Sequence, residues 1–269
     1  MPELPEVETV RRSLLPIVGA RIEAVHVFDA RLRRPVGADL PARLHGRAIH
    51  GITRRGKYLL FDLADETYLL AHLGMSGALL LRRGDVSRAP HDHVRLHFAD
   101  GRHLTYNDPR RFGILRLGRL AEFDELHHVG PDPLSNAFSL AALVTLTRGR
   151  KKPIKNLLMD QQGLGGIGNI YANEILFCAG LRPGRQARRL TRAELARLFE
   201  AVRAVLRTAV DLGGSSISDY RDAAGRPGYF QLQLNVYDRA GAPCPHCGTT
   251  IKRVVHAGRS SFYCRRCQQ

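Results

Sequence analysis

Four of the five cysteines fall into two C-x2-C pairs, Cys244/Cys247 and Cys264/Cys267, with sixteen residues between the pairs. No other feature restricts the local fold so tightly. Each pair can direct both thiolates to one ion, and the two pairs complete the tetrahedral four-thiolate set of a structural zinc site. Such a set leaves no open position for water, so the metal would hold structure and take no part in chemistry. The segment between the pairs, "IKRVVHAGRSSFYC", alternates like a two-stranded hairpin with "AGRSS" at its tip. Arg259 falls in that tip, where a metal-stiffened turn favours a preorganised phosphate contact over an ordinary solvated arginine. The remaining cysteine, Cys178, has apolar neighbours in "NEILFCAG" and reads as a buried thiol.

A basic balance surrounds this motif. Lys and Arg outnumber Asp and Glu by 41 to 25, a formal charge of +16. Self-repulsion of that size is relieved by a polyanion, so nucleic acid leads the partner classes and an anionic membrane follows. No apolar run approaches the ~18 residues of a membrane helix. The start, "MPELPEVETV", lacks the positive n-region of a signal peptide, and an odd cysteine count argues against a disulfide framework. The expectation is a cytoplasmic protein. A length of 269 residues suggests two domains.

Residues 3–16 pattern as a short helix, with Val7, Val10 and Leu14 on one face. From about 20 to 120, "RIEAVHVF", "KYLLFDLA", "TYLLAHLG" and "ALLLRR" read as period-two strands. "HVRLHFADGRHLTYND" reads as a hairpin, with Asp100-Gly101 as a type I′ turn. This half is expected to form a β-sandwich. After the Pro-punctuated stretch 129–138 come helical patterns. The longest, "TRAELARLFEAVRAVLRTAVDLGG", opens on a Thr191/Glu194 capping box and ends at Gly213. Residues 213–231 read as a long mobile loop, which at that length is functional or disordered.

Several short motifs carry chemistry. Gly163, Gly165 and Gly168 spell G-x-G-x-x-G, but a helical pattern precedes them and no βαβ unit surrounds them. A helix–turn–helix element fits better, with Asn169 opening a helix whose N-terminal amides suit phosphate. A tight interhelical turn is the plainer alternative. Lys57 in "RRGKYLL" precedes a strand and is, alone, an ordinary solvated lysine. Arg110 and Phe112 in "NDPRRFGIL" combine a phosphate contact with a possible apolar wedge, against a turn whose Phe packs on the core. Met75 in "HLGMSG" reads as a core methionine. His91 and His93 lie at i, i+2 with no third ligand and read as a polar strand face. At the terminus, removal of Met1 would leave Pro2 with a free secondary amine. A terminal amine has a pKa near ~8, so roughly a tenth of it is neutral at pH 7. It can therefore condense with an aldehyde-like carbon to an iminium, an electron sink for elimination. Glu3 beside it could move a proton at a sugar oxygen.

Together these segments are similar to the bacterial formamidopyrimidine-DNA glycosylase family. The resemblance runs from "MPELPEVETV" through "RRGKYLL", "HLGMSG", "HDHV", "NDPRRFG", "GIGNIYANEIL" and "GRPGYFQ" to "YCRRCQ". It implies an α+β multidomain protein. An N-terminal β-sandwich with an N-terminal helix would occupy 1–130. A helical domain with a helix–two-turns–helix element and a lesion loop would occupy 131–238, and a zinc hairpin 239–269. Double-stranded DNA with oxidised or abasic sites would lie between the domains of a monomer. The implied activity is excision of oxidised purines, 8-oxoguanine and formamidopyrimidines, followed by strand scission. Pro2 would attack C1′, Glu3 would assist ring opening, and the iminium would drive β- and δ-elimination. Lys57, His91, Arg110, Asn169 and Arg259 would hold phosphates around a kinked site, with Lys57 grouped with the catalytic pair. Met75, Arg110 and Phe112 would fill the space of the flipped base, and Lys155 would stand near the lesion. Cys244, Cys247, Cys264 and Cys267 would bind one zinc ion. The loop at 213–231 would close over the extruded base.

Two positions depart from the family pattern. Gly165 replaces a usual Val or Ala, which should loosen the turn before Asn169. Asp238 replaces a usual Gly, which puts a carboxylate near the hairpin. Two rival readings are the sister endonuclease VIII, whose start usually reads "PEGPE", and a non-catalytic lesion-binding zinc-finger protein, which has no need of a terminal amine.

Overall fold

The chain opens in helix α1 (Leu4–Ser13), with Glu3 as its N-cap residue and Pro5 in its first turn, where a missing N–H costs nothing. Val7, Val10 and Leu14 are buried, so the helix is anchored a few residues after the terminus. The computed structural model describes residues 1–84, 87–216 and 222–269.

Two four-stranded antiparallel sheets follow. One is built from β1 (Ile22–Val27), β6 (Asp92–Phe98), β7 (Arg102–Asn107) and β5 (Ala78–Arg83), in that spatial order. The other is built from β2 (Gly51–Arg55), β3 (Tyr58–Asp62), β4 (Tyr68–His72) and β8 (Ile114–Gly118). A short helix, α2 (Leu40–Leu44), lies between β1 and β2 in the chain. Their shared core holds Leu96, Phe98 and Tyr106 from the first sheet and Leu59, Phe61 and Leu115 from the second. Leu60, Leu70 and Ile114, on the other face of the second sheet, pack against Phe123 and Leu126 around α3 (Asp124–His127). Burial on both faces explains why β3 and β4 read as near-continuous apolar runs and not as strict alternation.

Two turns differ from the sequence reading. The β6–β7 hairpin forms, but Asp100 keeps a negative φ and only Gly101 is left-handed (φ +78°). Gly101 N–H donates to Phe98 O (3.0 Å). This is a type I turn closed by a left-handed glycine, the three-residue alternative to type I′. Positive φ at both central residues occurs instead at Ala257 (+47°) and Gly258 (+74°), in the two-residue turn of the cysteine hairpin.

The helices that follow are α4 (Leu140–Thr147), α5 (Ile154–Leu158), α6 (Asn169–Cys178) and α7 (Arg192–Asp211). Ser139 Oγ caps α4 by accepting from Ala142 N–H (3.1 Å). Thr191 and Glu194 form the expected reciprocal box at α7. Strands β9 (Lys252–His256) and β10 (Arg259–Tyr263) complete the chain.

By contacts, the polypeptide groups into two units: Met1–His127 with Leu212–Tyr229, and His128–Asp211 with Phe230–Gln269. Residues 212–229 therefore group with the sheets, not with the helices that flank them in sequence. The described parts of this segment are tied down. Leu81 N–H donates to Ala223 O (2.8 Å), Ala223 N–H to Ser13 Oγ (3.2 Å), and Tyr229 N–H to Leu212 O (3.0 Å). Residues 217–221 of the expected loop lie outside the described residues.

Three further expectations are corrected. Cys178 is exposed, because α6 buries Tyr171–Phe177 and its last residue emerges beside Arg197 and Glu200 of α7. Met75 is 43% exposed and so is not a core residue. His91 and His93 do not share a strand face. His91 precedes β6, exposed and left-handed (φ +68°), while His93 is buried between Asp29 O (3.1 Å) and Asp108 O (2.9 Å).

Candidate active site

The site is built first around the chain's start. Pro2 and Glu3 are buried, and Glu3 is 3% exposed. The Glu6 carboxylate, 2% exposed, reaches back and accepts Glu3 N–H at 2.8 Å through Oε2. This fixes the backbone at the head of the helix, as in a capping box. The terminal amine, here that of Met1, has its pKa lowered. Burial is the main cause; Glu3 and Glu6 oppose it, and the cations Lys57 and Arg110 add to it. A lowered pKa means more neutral, nucleophilic amine near neutrality. Lys57, in the two-residue turn between β2 and β3, is 7% exposed. A solvated surface lysine is therefore not what stands there.

Two loops meet beside this cluster. One carries Met75 after β4; the other carries Arg110 and Phe112 before β8. Asp108, fully buried, organises them. Its Oδ1 accepts Ser76 Oγ–H (2.7 Å) and Arg110 N–H (3.2 Å), and its Oδ2 accepts Gly113 N–H (2.8 Å). The loops touch backbone to backbone. A Cβ on Gly74 would lie 2.6 Å from Gly113 N, and one on Gly113 would lie 2.8 Å from His72 O. His72 Nδ1 accepts Gly74 N–H (3.1 Å), and burial, then Lys57 and Arg33, pull its pKa down to about 4, so the ring is neutral. From this platform Met75 (43%) and Phe112 (46%) project into solvent, and the Arg110 guanidinium lies 4.9 Å over the Phe112 ring. Sequence reading singled out the projecting side chains. It missed His72, Ser76 and Asp108, which fix them, and Glu6, which fixes the backbone at Glu3. The spacing of Asp108 just before Pro109 was the available signal, since Asp before Pro initiates turns.

The second unit has its own cluster. Asn169 is the first residue of α6, and its Oδ1 is buried with no hydrogen-bond partner. The glycine turn before it is laced by Gln161, whose side chain donates to Met159 O and Ile167 O and accepts Gly166 N–H (2.8 Å). Gly165 N–H donates to Pro131 O (3.0 Å), an additional tie within that turn. Lys155 is 1% exposed, and its Nζ donates to Ser260 O (2.6 Å) and Ser261 Oγ (2.8 Å) on β10. It thus acts here as a brace for the hairpin, not as a free cation. Asn173 Oδ1 accepts Phe262 N–H (2.7 Å). Glu174, unremarked in the sequence, accepts the amides of Asn235, Val236 and Tyr237 (2.8–2.9 Å). The hairpin is therefore clamped to α5 and α6 by side chains of both helices. Arg259, the first residue of β10, is exposed beside the turn.

The four cysteine sulfurs lie within 4.8 Å of one another, with Cys244–Cys267 at 3.8 Å and Cys247–Cys264 at 3.5 Å. Zn–S bonds of about 2.3 Å in a tetrahedron require sulfurs roughly 3.8 Å apart, so the set fits one structural zinc ion. No described helix is long and apolar enough to cross a membrane.

Comparisons with known proteins agree on one family. The chain matches the formamidopyrimidine-DNA glycosylase N-terminal domain over residues 1–115 and the corresponding H2TH domain over 129–221. Residues 241–269 match a zinc finger found in FPG and IleRS. A formamidopyrimidine-DNA glycosylase of Thiobacillus denitrificans is 51% identical over 271 residues, and one of Hahella chejuensis 47% over 272; each alignment covers 100% of both chains. MutM (FPG) from Thermus thermophilus superposes with a TM-score of 0.87 at 44% identity, covering 99% of this chain and 98% of that one. Lactococcus lactis Fpg in complex with DNA containing an abasic site superposes at 0.90 with 36% identity, covering 99% of each.

Proposed function

The chain belongs to the formamidopyrimidine-DNA glycosylase family, and we propose that Pro2 and Glu3 carry its chemistry once Met1 is removed. It is a bifunctional glycosylase and abasic-site lyase of base excision repair, acting on double-stranded DNA with one structural zinc ion. The carrying observation is the setting of the chain's start: Pro2 and Glu3 are buried at the head of α1 with the Glu3 backbone fixed by Glu6, and the Met1 amine that precedes them lies within electrostatic reach of Glu3, Glu6, Lys57 and Arg110.

The neutral Pro2 nitrogen attacks C1′ of the damaged nucleoside, the bond from C1′ to the base breaks, and the proton shed by the nitrogen balances the one taken up by the departing base. Glu3 delivers a proton to the ring oxygen as the sugar opens, leaving a cationic iminium between Pro2 and C1′. The iminium acidifies C2′–H. Loss of that proton expels the 3′ phosphate, and a second elimination expels the 5′ phosphate. Water then hydrolyses the iminium and frees Pro2.

The other residues serve extrusion. A base leaves the stack only if its place is filled and the distorted backbone is gripped. Met75, Phe112 and Arg110 project together and suit the first task. Lys57, His91, Asn169 and Arg259 suit the second, with Asn169 supported by the amides of its helix start. Lys155 supports Arg259 indirectly by bracing β10. The enzyme works as a monomer in the bacterial cytoplasm, at the nucleoid.

The test is covalent trapping. Protein with an exposed Pro2 is incubated with a duplex carrying 8-oxoguanine opposite cytosine, and borohydride is added. An adduct that disappears in Pro2→Gly, with DNA affinity retained, is the expected outcome. Absence of any adduct with folded, zinc-loaded protein refutes the assignment. A preference for thymine glycol over 8-oxoguanine points instead to endonuclease VIII specificity.

A further inference from the structure

Glu6 does more than cap a helix. While Oε2 accepts Glu3 N–H, Oε1 of the same carboxylate accepts Ser215 N–H at 2.7 Å. Ser215 is 4% exposed and belongs to the segment that returns to the sheets after α7. One buried carboxylate therefore joins two stretches 209 residues apart in sequence. The fit is close. Gly214 has φ +78°, and a Cβ there would stand 2.8 Å from Glu6 Oε1, 2.9 Å from Glu6 Cγ and 3.2 Å from Glu6 Cα. Gly228 closes the neck from the other side, since its Cβ would lie 2.2 Å from Gly214 O. Gly228 N–H also donates to Ser216 Oγ (2.8 Å).

We propose that Glu6 is a positioning residue for the glycosylase reaction: by holding Glu3 N–H and Ser215 N–H on one carboxylate, it fixes the direction of the Pro2 amine from the root of the 212–216 segment. The inference rests on the assignment of Pro2 as nucleophile. Its physical basis is short reach. Glu3 has φ −102° and ψ −171°, so it is extended, and Pro2 is its immediate neighbour. An error of about 1 Å at the nucleophile can cost on the order of 100-fold in rate. A buried carboxylate with two backbone amides is a stiff reference point, because each charge-assisted bond is about twice as strong as a neutral one. The same charge also acts on the amine. The charged groups around the amine that precedes Pro2, that of Met1, are Glu3 and Glu6 at the head of α1, Lys57 in the β2–β3 turn and Arg110 in the turn before β8. Glu6 favours the protonated form of that amine, and by the same attraction would favour a protonated Pro2 once Met1 is removed, so neutralising Glu6 shifts the balance toward the nucleophilic form.

The test compares wild type, Glu6→Gln and Gly214→Ala in borohydride trapping on 8-oxoguanine duplex across pH, beside DNA affinity and melting temperature. Gln keeps one acceptor and turns an amide NH2 toward the other N–H. Trapping should fall about tenfold with DNA affinity within about twofold. The acid limb of the rate profile should move to lower pH, which loss of packing alone would not produce. Gly214→Ala wedges against Glu6 but keeps its charge, so the rate should fall with the acid limb unmoved. Wild-type trapping by Glu6→Gln overturns the proposal. So does a rate loss matched by lost affinity with an unmoved limb. Should Glu6→Gln not fold, wild-type trapping by Gly214→Ala overturns it equally. An adduct in wild type that both variants form unchanged defeats only the role of Glu6, whereas no adduct in wild type defeats the assignment of Pro2.

Discussion

Asp108→Asn should separate the platform from the side chains it presents. The carboxylate is fully buried and accepts three hydrogen bonds, from Ser76 Oγ, Arg110 N and Gly113 N. Asparagine is nearly the same size but has one acceptor oxygen. In its best pose the oxygen takes Gly113 N–H and the NH2 faces Ser76, whose hydroxyl can rotate to accept. Arg110 N–H then keeps only the Ser76 hydroxyl as acceptor (3.2 Å). The charge-assisted bond from Arg110 is lost and the other two become neutral, a loss of about 2 kcal/mol within the ~1.5–3 kcal/mol range for hydrogen bonds to a charged group. For a unit of this size that corresponds to a melting shift of roughly 4–8 °C. Thermal unfolding of zinc-loaded protein measures it directly. Affinity for duplex containing a stable abasic analogue should drop as well, because Arg110 and Phe112 are no longer held beside Met75. Borohydride trapping at saturating DNA should be less affected, since Pro2 and Glu3 rest on α1 and not on Asp108. A melting temperature within about 1 °C of wild type would show that the three bonds do not organise the turn.

Three further outcomes are expected. His72 has a pKa near 4 in the folded protein, below its ordinary value; the unfolded chain therefore binds more protons between ~6.5 and 4, and stability should decline by about 3 kcal/mol as pH falls through that window. Denaturant titrations at several pH values should show this slope, and His72→Asn, which keeps an acceptor for Gly74 N–H, should flatten it. Asp238 has φ +58°, a conformation that favours glycine, so Asp238→Gly should raise the melting temperature of the second unit by a few degrees, worth about 1 kcal/mol; a lower melting temperature would count against backbone strain there. Chelation of zinc should abolish DNA binding and unfold the hairpin, while the thermal transition of the sheet unit persists; unchanged binding by metal-free protein would remove the hairpin from the DNA interface.

What the sequence disclosed depended on whether a side chain's role is local. The four cysteines, the α7 capping box and the apolar stripe of α1 act within one element or one short segment. Their spacing alone therefore located them. The exposed Met75 and Phe112 were ambiguous because exposure is decided by packing from elsewhere. Met75 projects because Gly74 is pressed against the Phe112–Gly113 backbone, a contact between residues nearly forty positions apart. The turn types show the same limit. Asp100-Gly101 has the composition of a type I′ turn, yet its strands are paired so that three residues bridge them. Ala257-Gly258 has a weaker composition but only two residues between its paired ends, so both adopt positive φ.

The acidic start is the clearest case of meaning supplied by tertiary structure. Read along the chain, Glu3, Glu6 and Glu8 are three similar carboxylates on a basic protein. In the fold they part. Glu3 stands beside the terminal amine. Glu6 joins that end to Ser215. Glu8 is paired with Arg11 and Arg54, and although burial opposes it, those bonds bring its pKa below the usual range. Glu8 therefore stays ionised and ties α1 to β2, leaving the head of the helix free of that structural duty. Under the proposed assignments, the different burial and partners of three neighbouring glutamates divide anchoring, positioning and proton transfer among them. Only the anchoring role can be exchanged for another well-packed contact without moving the amine.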